Sequence, residues 1–173
     1  MKQLTLLRHA HAGWPESGTR DFDRPLDDAG HRGLAVIAPH FARLVRDADL
    51  VLCSPAVRAL QSYQGLAQNI NLPPAHQEPR FYMASLDVLL EVLHEQNADV
   101  RHIVMIGHNP GLQDLAALFA TSQTGTRIAH HFPTCAFAQF ESDAPWSAWE
   151  TGQVELRAHN WPQNIDPHCE ADQ

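Results

Sequence analysis

The sequence predicts an α/β fold, a three-layer α/β/α sandwich with a mostly parallel central sheet. Three observations predict it. Short apolar runs of strand length alternate with stretches of helical period. Three of those runs end in polar clusters that turn the chain into the next element: Arg8-His9, Ser54-Pro55 and Gly107-His108. The chain has 173 residues, 44% hydrophobic and 18% charged, which suits one globular domain able to bury a core without disulfides or structural metal. The domain is expected over residues 1–162, with a polar, frayed tail over 163–173.

Residues 3–7 are a compact apolar run and read as a buried strand. Residues 12–29 carry Gly, Pro, Ser and Asp without periodicity and read as a long loop, a length that often serves function in a compact domain. From Gly30, the positions Leu34, Ile37, Ala38, Phe41 and Leu44 form a helical stripe, with Pro39 inside it expected to kink the helix. Residues 49–53 are a second strand. Ser54 and Pro55 read as N-cap and first-turn proline of a helix bearing Val57, Leu60, Leu66, Ala67 and Ile70. A short strand is expected within 75–82. Leu86, Leu89, Leu90 and Leu93 follow the i, i+3, i+4, i+7 pattern of another helix. Residues 101–106 are a further strand, after which Asn109-Pro110 repeats the N-cap and proline signal ahead of Leu112, Leu115, Ala116 and Phe119. Residues 121–131 read as a polar loop containing His130-His131. Residues 134–140 and 153–159 are the last two strands, expected side by side.

Composition excludes several function classes. The formal charge is −8 and no basic run occurs, which argues against nucleic-acid binding. No apolar run approaches the ~18 residues of a membrane span, and no signal-peptide core follows Met1, so no membrane partner and a cytoplasmic location are expected. Cys53, Cys135 and Cys169 are odd in number, widely spaced and without C-x-x-C, as expected of free thiols in a reducing compartment. The 12 histidines show no H-E-x-x-H and no interleaved carboxylates, so neither a metal nor a cofactor is expected.

In an open α/β sheet, ligands sit beyond the carboxyl ends of the strands. That rule gathers Arg8, His9, Ser54, Arg58 and His108 at one crevice. Two guanidiniums beside two imidazoles suit an oxyanion, because the guanidinium fork matches phosphate oxygens in pairs. The helix starts after Ser54 and Asn109 would add backbone N–H groups. An imidazole can also act as a nucleophile and form a covalent intermediate, while a second, if protonated, adds a donor. Each feature alone is commonplace: a histidine at a strand end is more often structural, and Ser-Pro is an ordinary cap. Their joint placement at three strand ends makes the functional reading.

Leu7-Arg8-His9-Ala10 resembles the Arg-His-Gly signature of the histidine phosphatase superfamily, whose fold is the phosphoglycerate mutase-like one. Ser54-Pro55-Ala56-Val57-Arg58-Ala59-Leu60-Gln61-Ser62 is similar to its Ser-Pro-x-x-Arg-x-x-Gln-Thr segment, and Gly107-His108-Asn109-Pro110-Gly111 to its second-histidine block. The blocks stand about fifty residues apart, as in the family. Asp21-Phe22-Asp23-Arg24-Pro25-Leu26 followed by Gly30, and Phe81-Tyr82-Met83-Ala84-Ser85, resemble segments of the short SixA-type phosphohistidine phosphatases. The resemblance covers roughly residues 3–160. It implies a metal-independent phosphatase in which His9 is the nucleophile, phosphorylated in a covalent intermediate, and Arg8, Arg58 and His108 hold the phosphoryl oxygens. Charge neutralisation and in-line positioning are what phosphoryl transfer requires. His9 should be neutral at its attacking nitrogen, with the other nitrogen donating to a backbone carbonyl.

The match has departures. Ala10 stands for the motif glycine and Ser62 for threonine. The glutamate acid that many superfamily phosphatases carry before the third helix is absent from Phe81–Ser85. The candidate acid is then Asp21 or Asp23 in the long loop, with Asp21 preferred for its spacing from Arg24. Arg24 and His11, two residues beyond His9, are expected to border the substrate, and Trp14 lies in the loop over the site. A phosphorylated imidazole leaves with pKa ~6.5 and asks less of an acid than an ester does. The short chain leaves little for a substrate cap. Both points favour a phosphorylated protein as partner, a phosphohistidine carrier or phosphorelay domain. The alternatives are a small-molecule phosphomonoesterase with the same core and, in a different class, a non-catalytic phosphoryl-binding module.

Overall fold

The computed structural model describes residues 1–14, 16–120 and 122–169. Its six strands are β1 (Lys2–Arg8), β2 (Leu50–Cys53), β3 (Ala75–Gln77), β4 (His102–Gly107), β5 (Phe137–Ser142) and β6 (Glu155–Asn160). They form one sheet in the order β3-β2-β4-β1-β5-β6. The pairs β3/β2, β2/β4 and β4/β1 are parallel, and β5 runs antiparallel between β1 and β6. Six helices accompany them: α1 (Asp28–Leu44), α2 (Val57–Ala67), α3 (Leu86–His94), α4 (Gly111–Phe119), α5 (Ser122–His130) and α6 (Pro162–Ile165).

The side-chain alternation of a strand divides the core into two. Leu4 and Leu6 of β1 and Ile103 and Met105 of β4 pack with Leu89, Leu93, Leu112 and Leu115 of α3 and α4. Leu7, Val104 and Ile106 face the other way, onto Ile37, Phe41 and Leu66 of α1 and α2. The layers are therefore helix, sheet, helix. Trp146 and Trp149 lie buried in the first of these cores, T-shaped or tilted against their aromatic neighbours.

A polar group crosses the second face. Thr5 Oγ1 lies 3.0 Å from His102 Nε2 and accepts from Gln139 Nε2 at 3.2 Å, and that amide also donates to the Leu44 carbonyl at 3.0 Å. Three strands and the end of α1 thus share one buried hydrogen-bond chain.

Several local expectations are corrected. Residues 122–130 of the expected 121–131 loop form α5. Its polar sequence hides one firm anchor, the buried Ile128, and Gly125, where a Cβ would come within 2.9 Å of the Ala117 carbonyl on α4. The helix after Ser54 starts later than expected, at Val57 with Ala56 as N-cap, while the Ser54 hydroxyl accepts from Ala56 N–H at 3.3 Å and also meets His108 Nε2. Asn109 does not cap α4. Pro110 holds that position, while the Asn109 amide donates to Gln113 Oε1 and to the Phe132 carbonyl, both at 2.8 Å. The long loop ends at Asp27, whose carboxylate caps α1 by accepting from Gly30 N at 2.9 Å. Pro39 sits within the continuous α1 on its exposed side, where the carbonyl it leaves unpaired can meet water. The tail expected from residue 163 includes the short helix α6, with Pro162 buried. Residues 170–173 of that tail, Thr121 and Pro15 lie outside the described residues.

Gly111 brings the start of α4 onto the chain segment before α3. A Cβ there would stand 2.3 Å from the Ala84 carbonyl. Gly111→Ala is expected to push the two segments apart and destabilise the fold by about 1–3 kcal/mol, read as a lower urea midpoint. An unchanged midpoint would show that the contact relaxes freely.

Candidate active site

The carboxyl ends of β1, β2 and β4 open into a cleft of about 640 Å³. Arg8, His9, His11, Asp21, Arg24, Arg58, Tyr82 and His108 all line it. Residues from three segments spaced about fifty positions apart thus line one cleft.

His9 follows the last residue of β1, and its backbone is tied on both sides, N–H to the Gly107 carbonyl and carbonyl to Cys135 N–H. Its ring is buried. Nδ1 lies 2.7 Å from the Ala10 carbonyl and must donate, because a carbonyl only accepts. The lone pair is therefore on Nε2, which receives Arg58 Nε–H at 3.2 Å. Burial, then the neighbouring His108 and the Arg58 and Arg8 cations hold the ring well below its ordinary pKa, against the Ala10 hydrogen bond. His9 is a neutral imidazole with its free nitrogen aimed at a guanidinium. The expected carbonyl partner is that of the next residue, and Ala10 N–H in turn donates to Ser62 Oγ at 2.9 Å.

Arg58 stands in the first turn of α2 and is only 4% exposed. Besides His9 it binds the loop: Nη1 donates to the Asp21 carbonyl at 2.5 Å and Nη2 to Asp21 Oδ2 at 2.9 Å. Arg8 Nη1 donates to the Phe132 carbonyl at 3.0 Å. His108 Nε2 lies 2.7 Å from Ser54 Oγ, and Ser54 is buried, so its hydroxyl orients the imidazole from behind. Burial pushes His108 down to about 4, helped by Arg58 and Arg8 and opposed by Asp21. The second histidine is thus neutral.

Asp21 begins a single 3-10 turn, Asp21–Asp23, within the long loop. Its carboxylate accepts from Arg24 Nη1 at 3.1 Å, Arg58 Nη2 at 2.9 Å and Tyr82 Oη at 3.0 Å. Burial would raise its pKa, but these donors and the Arg58 charge hold it below the usual range. Asp23 pairs instead with Arg20 on the exposed side of the loop. Of the two candidates, only Asp21 is in the cleft. Arg24 donates to the carbonyls of Gly13 and Ala12 as well as to Asp21, and its guanidinium lies 4.1 Å from the Trp14 ring. It serves chiefly to hold the loop. His11 Nδ1 is 2.6 Å from Asp27 Oδ2.

Tyr82 was not among the sequence candidates. Its hydroxyl reaches Asp21, and its ring meets Phe22 and His108 edge to face. Phe81–Ser85 offers no carboxylate, and a phenol carries no such signature. The Phe132 carbonyl, shared by Arg8 and Asn109, is a backbone group that no side-chain pattern reports. Among the described residues no cluster of His, Cys, Asp or Glu could hold a metal ion, and no helix is long and apolar enough to cross a membrane.

Burial pushes His102 and His159 down to about 4, like His108. Unfolding restores rings of pKa near 6.5. Between pH 6.5 and 4 the unfolded chain then binds more protons, and stability falls as pH falls. The urea midpoint is expected to drop steadily from pH 7 to pH 5. A flat midpoint would mean that the folded rings already carry protons there.

A family model of the histidine phosphatase superfamily (branch 1) matches residues 4–82. An uncharacterized protein of Mycobacterium tuberculosis is 31% identical over 163 residues, 91% of this chain and the whole of that one. A structure reported under the name SixA from Agrobacterium tumefaciens superposes with a TM-score of 0.79 at 28% identity, covering 93% of this chain and 98% of that one. A protein histidine phosphatase SixA solved with tungstate shares the fold, with a TM-score of 0.77 at 23% identity over 95% of this chain and 99% of its own.

Proposed function

The chain belongs to the histidine phosphatase superfamily and is SixA-like, and from that premise we propose that it removes the phosphoryl group from phosphohistidine on a protein. His9 Nε2 attacks phosphorus, the bond from phosphorus to the substrate imidazole breaks, and phospho-His9 forms. Water then releases orthophosphate. Arg8 and Arg58 neutralise the transferring oxygens, and a bound dianion offsets the two guanidiniums that add to burial in keeping His108 neutral, so that His108 can become a donor. No metal enters these steps.

The observation that carries the phosphohistidine reading is the state of Asp21. It is the one carboxylate among the described residues lining the cleft, and it is ionised and held by three donors. An ionised carboxylate has no proton for an alkoxide. A protonated phosphoimidazole needs none, since its leaving group is an ordinary imidazole. A protein substrate is further supported by the cleft's rim. Trp14 is 61% exposed beside Arg24, and Met83 is 70% exposed on the lip. Aromatic residues and methionine are enriched at protein interfaces.

A substrate panel tests this: a histidine-phosphorylated carrier protein against sugar phosphates and nucleotides. The carrier is expected to show the highest kcat/KM. A sugar phosphate or nucleotide turned over faster would replace the reading with a small-molecule phosphomonoesterase. Tight phosphate binding without turnover of any substrate would leave a binding module.

A further inference from the structure

The covalent route leaves one proton without an acceptor. When water attacks phospho-His9, its oxygen bonds to phosphorus, the P–N bond breaks with its electron pair returning to Nε2, and the water must give up a proton. We infer that His11, oriented by Asp27, takes that proton on Nε2; the inference rests on the covalent reading proposed above.

The other groups of the cleft are unsuited. The arginines are permanent cations. The Tyr82 hydroxyl is spent on Asp21, and both Asp21 oxygens are taken by donors. His108 is bonded to Ser54 through Nε2 and is a weak base beside Arg58 and Arg8. His9 carries the phosphoryl group.

His11 is built differently. It lines the cleft and is partly exposed. Its Nδ1 is fixed 2.6 Å from Asp27 Oδ2. A carboxylate accepts, so Nδ1 donates, and the lone pair lies on Nε2, which meets no protein partner among the described residues. Asp27 is itself immobilised. Its other oxygen accepts from Gly30 N at 2.9 Å, and its own N–H donates to the His11 carbonyl at 3.4 Å. Gly30 permits this closeness, because a Cβ there would lie 2.2 Å from that carbonyl. Burial would raise the Asp27 pKa, but the Gly30 N–H and His11 hold the carboxyl below the usual range. An imidazole that lines the cleft, steered through one nitrogen by an ionised carboxylate, is the arrangement a general base requires.

The experiment separates the two half-reactions. Wild type and His11→Gln are mixed with a ³²P-labelled histidine-phosphorylated carrier protein and quenched in alkali at short times. His11→Gln is expected to take up label at the wild-type rate and lose it about a hundredfold more slowly, so acid-labile phosphoenzyme accumulates. Asp27→Asn should show the same accumulation to a lesser degree, since asparagine still caps α1 but no longer offers a charged acceptor. Label lost from His11→Gln at the wild-type rate would overturn the inference. So would equal slowing of uptake and loss, which would mark a residue that only shapes the cleft. If wild type itself releases phosphate without ever carrying label, the covalent reading fails, and the inference with it.

Discussion

His9→Ala is expected to abolish turnover, with kcat lower by a factor on the order of 10⁴ or more for a phosphohistidine protein and for an aryl phosphate alike. The size of the effect follows from the ring's double restraint. Its Nδ1 proton is pinned on the Ala10 carbonyl and its Nε2 lone pair is set beside Arg58. No other imidazole lining the cleft among the described residues is tied at both ring nitrogens in this way. The fold should survive, because alanine leaves the backbone bonds to Gly107 and Cys135 in place. Hydrolysis of either substrate and the urea midpoint should be measured together. Wild-type turnover by a folded His9→Ala protein would overturn the mechanism.

Arg58→Ala is expected to cost about 10²–10³-fold in kcat/KM, the loss that follows removal of one preorganised donor from a developing anion. Two consequences combine. The guanidinium that faces His9 Nε2 disappears, and Asp21 loses two of its anchors, one to its carbonyl and one to its carboxylate. The loop over the cleft is then held chiefly by Arg24 and Tyr82. Arg58→Lys should recover little, because an ammonium cannot serve three acceptors in a planar fork. Weaker competitive inhibition by inorganic phosphate should accompany the loss. A variant within threefold of wild type in kcat/KM would show that Arg8 alone supplies the necessary charge.

The central layers were legible in the sequence because their physics is periodic. Leu34, Ile37 and Phe41 recur at helical spacing. The buried strands are short, continuous apolar runs, and the rule about strand ends located five of the site residues. Where the reading failed, a long-range partner had displaced a local preference. Asn109 carries a capping side chain, but Gln113 and the Phe132 carbonyl claim it, and the Ser54 hydroxyl is shared between Ala56 N–H and His108. The α5 helix escaped notice because one buried isoleucine gives no period. Asp21 could be named from its spacing to Arg24, but its ionisation could not, since two of its three donors, Arg58 and Tyr82, lie 37 and 61 residues away in sequence.

The polar chain of Thr5, His102 and Gln139 is centred on the middle of β1, four residues before His9, or roughly 13 Å from it at the rise of a strand. Thr5 stands directly across from Gln139 in the β1/β5 pairing, and His102 reaches it from β4. Sliding β1 by one residue would turn every side chain to the opposite face and strand these groups among hydrocarbon. Such a chain works as an indexing pin. It admits one alignment of β1 between its neighbours, and so it fixes how far Arg8 and His9 project from the sheet. The position of His9, the proposed nucleophile, is thus set partly by residues that do not line the cleft.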